Sequence, residues 1–207
     1  VVIKEKIDLD CEEDVKSISA MSFVKFSIPS INRDAKGTKK FKMPKNWTNL
    51  TDEECFKILK NGREKGHKAY CVLAGKRNNI TVFDFDKTGL YESFIEKYPE
   101  MKKAYTIKTS KGFHIYCKYN PIYKTSKDTE FGMDTRNDGG MSFGNGTKTE
   151  FGTSYIMLDN EKKLDLEFPE EWCPDTLKNL PPKPPVLKAK KTKKLVLSQD
   201  SKEEAPT

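Results

Sequence analysis

Closely spaced cysteines are missing from this sequence. Its five, Cys11, Cys55, Cys71, Cys117 and Cys173, stand far apart with no Cys-x-x-Cys pair. That spacing argues against a zinc ribbon and against a secreted disulfide scaffold, and a reducing compartment is the simpler expectation. No apolar run approaches the length of a membrane span, and no signal-peptide core is present. A soluble, intracellular chain with no membrane partner is therefore expected. A Gly-x-x-x-x-Gly-Lys-Ser/Thr loop is also lacking, so these residues hold no ATP-driven motor. There is no repeat of solenoid period. The first residue is Val1 rather than Met, so a piece of a longer polypeptide is expected.

What is present is enough for one sizeable core: 207 residues, 35% hydrophobic and 11% aromatic. The net charge is +7, a mild excess of the kind that suits polyanionic partners. Much of it falls near the C-terminus, in Lys188, Lys190, Lys191, Lys193 and Lys194 after Pro-Pro-Lys-Pro-Pro. The expected organisation is an N-terminal extension over 1–20, a globular domain over 21–180, and a disordered, Pro/Lys-rich basic linker or tail over 181–207.

The chain is organised around Ile80-Thr81-Val82-Phe83-Asp84-Phe85-Asp86. Its residue types favour a buried strand. Side chains alternate along a strand, so Asp84 and Asp86 share one face and Phe83 and Phe85 the other. Two like charges at that spacing repel and raise each other's pKa. They suit a wet strand end or a bound cation, and hard oxygen ligands suit Mg²⁺ or Mn²⁺.

Around this strand the pattern predicts a strand over 21–28, a turn at 32–37 and a returning strand over 39–43. Trp47 is expected at the core edge. Thr51-Asp52-Glu53-Glu54 is a capping box, followed by a helix ending at Asn61-Gly62, and Ala69 to Ala74 is a strand. Lys76 and Arg77 sit in a basic turn before Ile80 that either faces phosphates or is a solvated hairpin tip. A helix carries Leu90, Phe94, Ile95 and Tyr98. A strand over 104–109, the turn Ser110-Lys111-Gly112 and a strand over 113–119 follow. On the last, His114 and Tyr116 face away from Phe113 and Ile115. Residues 120–130 read as a polar loop, 133–136 as a short strand with Asp134 and Arg136 on one face, and Asn137-Asp138-Gly139-Gly140 as a turn. Met141-Ser142-Phe143 leads into a loop, 153–158 is a strand, and 168–180 is a broken helical segment around Trp172.

Three polar clusters stand at strand ends: Asp84 with Asp86, Ser110 to His114, and Asp134 to Arg136. Singly, each has an ordinary reading as solvated or turn chemistry. Together they supply three carboxylates for divalent ions, an imidazole and a guanidinium for phosphate, the set that metal-assisted phosphoryl transfer needs.

The order Asp-x-Asp, Ser-x-Gly-x-His, hydrophobic-Asp resembles the three motifs of the archaeo-eukaryotic primase superfamily, nearest its primase-polymerase branch. Val72 to Arg77 before the first motif, Arg136-Asn137-Asp138-Gly139-Gly140 after the third, and Lys42 to Trp47 also resemble that branch. The resemblance covers roughly residues 20–175. It implies an α/β (α+β) fold with an RRM-like antiparallel sheet carrying the site, helices on its other face and a small N-terminal α/β subdomain. It assigns Asp84, Asp86 and Asp134 to two Mg²⁺ or Mn²⁺ ions. It gives His114, with the Ser110 turn, to the triphosphate of an NTP or dNTP, and makes Lys111, Gly112 and Arg136 further phosphate candidates. It implies DNA-templated nucleotidyl transfer, as primase or primer-extending polymerase, on single-stranded DNA. It also implies a linked or associated superfamily 3 helicase of the kind found in large DNA viruses and mobile elements, which would place the protein in a host's cytoplasm or nucleus. Two departures stand out. Gly112 leaves Ser110 as the hydroxyl of the second motif. Phe143-Gly144-Asn145-Gly146 replaces the usual Pro-Pro-Ser-like loop after the third. Two other classes use the same residues: a single-strand-binding module with an inactive site, and a metal-dependent nuclease.

Overall fold

Short runs of β-branched and aromatic residues, broken by Gly, Asn and Pro, form the strands. The computed structural model describes residues 25–36, 38–149 and 155–181. In chain order the elements are β1 (Lys25–Ile28), β2 (Asn32–Arg33), β3 (Lys39–Lys40), α1 (Asp52–Glu64), β4 (Ala69–Leu73), β5 (Ile80–Phe85), α2 (Leu90–Lys97), β6 (Tyr105–Lys108), β7 (Phe113–Lys118), β8 (Ser126–Asp128), β9 (Met133–Arg136), β10 (Met141–Phe143) and β11 (Ile156–Met157). The protein is mixed α+β. A six-stranded antiparallel sheet has the order β11-β6-β7-β5-β9-β8, and a three-stranded antiparallel sheet has the order β1-β4-β10. Strands β2 and β3 form a separate hairpin.

Strand β5 lies inside the larger sheet, between β7 and β9, and its alternation divides the molecule. Phe83 and Phe85 enter a core with Phe94, Ile95, Ile115, Cys117, Met133 and Phe168. Helix α2 supplies two of these, and Phe168 stacks on Phe83 and Phe94 with ring centroids 3.6 and 4.9 Å apart. On the other face Ile80 and Val82, with Tyr105 and Tyr116, pack against Tyr70, Val72 and Phe143 of the smaller sheet. Asp84 and Asp86 continue that same face. The face thus begins as core beneath the smaller sheet and ends as a row of carboxylates.

Helix α1 starts at the expected capping box: Thr51 Oγ1 accepts from the Glu54 amide at 3.1 Å and Glu54 Oε2 from the Thr51 amide at 2.7 Å. It buries Cys55, Leu59 and Gly62, one stripe at helical spacing. The expected stop at Asn61-Gly62 is corrected, because the helix runs on to Glu64. Gly62 serves packing instead. A Cβ there would lie 1.8 Å from Ser27 Oγ on β1, and Ser27 donates to the Ile58 carbonyl at 3.0 Å. The chain reverses at Gly66, which has a φ of +68°.

Other expectations shift with tertiary pairing. The polar loop over 120–130 contains β8, an edge strand recruited by β9. Met141–Phe143 is a strand that pairs with β4, so the smaller sheet is completed from beyond the third motif and is not purely N-terminal. The returning strand expected over 39–43 is only Lys39–Lys40, and the one expected over 153–158 is Ile156–Met157. The broken helical segment resolves into single 3₁₀ turns at Glu170–Trp172 and Asp175–Leu177. Residues 1–24, which include the N-terminal extension and the start of the first expected strand, lie outside the described residues, as does the basic tail from 182. Among the described residues no helix is long and apolar enough to cross a membrane.

Candidate metal centre

Strand register brings the three motifs into one row. Asp84 stands opposite His114 of β7 on one side and opposite Asp134 of β9 on the other. Lys127 of β8 extends the row beyond Asp134. Cross-strand partners share a face, so all four side chains rise on the side where Asp86 also emerges. One oxygen from each of Asp84, Asp86 and Asp134 lies within 4.8 Å of the others, so this group could hold a metal ion. An all-oxygen donor set of this kind fits a hard cation.

Asp134 is buried, Asp84 half-buried and Asp86 exposed. His114 Nε2 lies 3.3 Å from Asp84 Oδ1, and Ser142 Oγ of β10 lies 2.8 Å from His114 Nδ1. An ionised carboxylate only accepts, so Nε2 carries the proton toward Asp84, and in the neutral ring Nδ1 accepts from Ser142. His114 therefore faces the carboxylates directly, and not the Ser110 turn alone as the motif order suggests. Arg136 Nη2 reaches 2.9 Å from Asp134 Oδ2 and 3.7 Å from Asp84 Oδ2. Lys127 Nζ lies 3.3 Å from the same Asp134 oxygen.

Burial pushes the Asp84 carboxyl up, but His114, Arg136 and Lys39 together hold it below the usual carboxylate range. Asp86 is raised, by partial burial and, more telling for an exposed carboxylate, by repulsion from Asp84 and Asp134. Lys39 is lowered by burial, against the pull of Asp84 and Asp86.

A cavity of about 480 Å³ opens over the row. Its walls carry the three aspartates, His114, Ser110, Lys111 and Arg136 from the expected set, together with Arg33, Lys39 and Lys127. Five cations against three carboxylates suit a strongly anionic ligand. Lys39 comes from the β2–β3 hairpin and donates to Tyr155 Oη at 2.8 Å. Phe41 and Trp47 line the same cavity. Trp47 also packs against Phe26, with centroids 6.1 Å apart, as expected of a core-edge residue.

The Ser110 turn sits over the end of β5. A Cβ at Gly112 would lie 1.6 Å from the Phe85 carbonyl oxygen, so glycine alone fits. Thr109 Oγ1 accepts from the Lys111 and Gly112 amides at 3.3 and 3.1 Å. Those two amides are thus engaged, and the turn offers a phosphate the Ser110 and Lys111 side chains. Lys76 and Arg77 lie at the opposite end of β5 and do not line the cavity. The Lys76 amide donates to Asp138 Oδ1 at 2.9 Å, and Arg77 Nε to Asp52 Oδ1 at 3.2 Å.

Sequence reasoning missed Ser142, Lys39, Lys127 and Tyr155. Ser142 and Tyr155 reach the site from segments that carry no polar motif. Lys39 and Lys127 are two among 38 Lys and Arg residues, with nothing local to single them out. Comparison of the chain with protein-family models and with curated proteins finds no match in either.

Proposed function

We propose that this chain is a DNA-templated nucleotidyltransferase of the primase-polymerase kind, using two Mg²⁺ or Mn²⁺ ions. The observation that carries the reading is the row of Asp134, Asp84 and His114 across three adjacent strands, with Asp86 beside it, under a cavity whose walls also carry five Lys and Arg side chains. Bound ions would lower the pKa of an attacking 3′-hydroxyl and offset charge on the triphosphate. Asp84, Asp86 and Asp134 would hold them. His114, braced by Ser142, fixes the Asp84 carboxylate. Lys111, Lys39 and Arg33 provide charge for the phosphates, and Ser110 a hydroxyl. Phe41 and Trp47 give the cavity an apolar wall against which a base can rest. The same reading brings single-stranded DNA, an NTP or dNTP, and a linked or associated helicase as partners.

A single-strand-binding module without catalysis is the second reading. It is favoured by Arg136 and Lys127, which already neutralise Asp134. Incubation with single-stranded DNA, labelled nucleotides and Mn²⁺ or Mg²⁺, with and without a primer, separates the two. Primer-free short products indicate a primase, extension alone a polymerase, shortened DNA a nuclease, and retention without product the binding module. Asp86→Ala is expected to abolish synthesis. Synthesis at the wild-type rate by that variant would refute the metal assignment.

A further inference from the structure

The carboxylate row is not bare: one guanidinium nitrogen spans it. Arg136 Nη2 touches oxygens of both Asp134 and Asp84, at 2.9 and 3.7 Å, and these belong to two of the three side chains that could hold an ion. The second oxygen of Asp84 faces His114. The Asp134 oxygen that meets Arg136 also meets Lys127. We propose that Arg136 is the built-in counter-ion of this site, that it gives way to the metal, and that its released charge then serves the anionic end of the substrate.

Three carboxylates this close are tolerable without metal only if cations stand among them. Arg136 is held at the end of β9 by pairing with Val82 of β5, so its backbone can stay in place while the side chain moves. Mg²⁺ takes oxygen ligands at about 2.0–2.1 Å. Held by Asp84 and Asp134, it would compete with Nη2 for their oxygens. Once displaced, the guanidinium remains in a cavity that already holds Arg33, Lys39, Lys111 and Lys127. Apart from Asp86, the charges it meets there are repulsive. A phosphate group resolves that, and a planar guanidinium suits phosphate. Metal and phosphate ligand should therefore bind as coupled partners, each easing entry of the other.

The inference rests on the metal reading of the aspartates but not on any catalytic activity. It is tested with Mn²⁺ alone, titrated against the wild type, Arg136→Leu and, as a charge control, Lys127→Leu. Lys127 touches the same oxygen but is largely exposed. Arg136→Leu should bind Mn²⁺ on the order of tenfold more tightly than wild type, and Lys127→Leu clearly less so. In the wild type, saturating Mg²⁺ should shift the Arg136 Nε–H resonance and speed its exchange with water. Unchanged or weaker Mn²⁺ binding by Arg136→Leu, or an Arg136 resonance indifferent to Mg²⁺, overturns the exchange while leaving the metal site intact. Mn²⁺ binding by none of the three proteins overturns both.

Discussion

Asp86 is the residue at which binding and stability should pull in opposite directions. Its oxygen lies within 4.8 Å of those of Asp84 and Asp134. Two unit charges at that distance repel by about 0.9 kcal/mol in water and about 3.5 kcal/mol at an effective dielectric of 20. Asp86 is exposed and its neighbours are already paired with cations, so screening favours the lower figure. Asp86→Asn keeps the shape and removes the charge, and should stabilise the metal-free protein at neutral pH by about 0.5–1 kcal/mol. In a protein of this size that is a rise of about 1–4 °C in Tm. The pH dependence has a definite sign. The carboxyl is raised in the folded state, so the folded protein binds more protons than the unfolded chain between the two pKa values. Its contribution to stability falls as pH rises through that window and is lowest above it. The advantage of Asp86→Asn should therefore vanish in acid, grow across the titration of Asp86, and level off at neutral pH. Mg²⁺ at a hundred times its Kd should add about 2.7 kcal/mol to the wild type and little to the variant. Thermal denaturation of both proteins across pH, with and without Mg²⁺, reads all of this. A variant less stable than wild type at neutral pH, or an equal response to Mg²⁺, would refute the reasoning.

Gly62→Ala reverses a general rule. In an unhindered helix interior the change is favourable by about 1 kcal/mol, but here the new methyl meets Ser27 Oγ at 1.8 Å. A lower urea midpoint is expected, and a higher one would show that β1 yields readily. Ser142→Ala leaves His114 Nδ1 buried without its hydroxyl partner, at a cost of about 1–3 kcal/mol, and frees the ring that fixes Asp84. If nucleotidyl transfer is confirmed, kcat should fall in step with His114→Ala, by about ten- to a hundredfold in kcat/KM. Full activity in Ser142→Ala would show that the ring needs no brace.

Local signals carried much of this molecule. The capping box, the alternation of β5 and β7, and the turn chemistry around Gly112 and Gly139 all depend on residues close in sequence, and these elements stand where the pattern put them. Asp134 and Arg136, two apart on a strand, were bound to share a face, and their 2.9 Å contact follows from that. What failed was non-local. Strand β8 has three polar or charged residues and becomes a strand only because β9 presents an open edge. Gly62 resembles a helix stop, and only the approach of β1 makes it a packing residue.

The site itself divides along the same line. Its carboxylates were legible because β5 and its partner β9 carry them near strand ends. Lys39, Ser142 and Tyr155 were not, because they come from elsewhere: Lys39 from a two-residue hairpin, Ser142 from the third strand of the smaller sheet, Tyr155 from the segment before β11. Tyr70, Val72 and Phe143 of the smaller sheet pack in one core with Ile80 and Val82, whereas Asp84 and Asp86 line the cavity. The boundary between core and cavity is therefore set by the length of the cover this sheet gives, not by β5, whose side chains simply change from apolar to acidic where the cover ends. Were β10 to extend further over the row, Asp84 and Asp86 would be shut off from water, and the burial that already pushes both carboxyls up would grow. The smaller sheet is thus part of the site's electrostatics as well as its wall. It follows that substitutions which loosen β10 from β4, far from any carboxylate, should alter metal binding before they unfold the larger sheet.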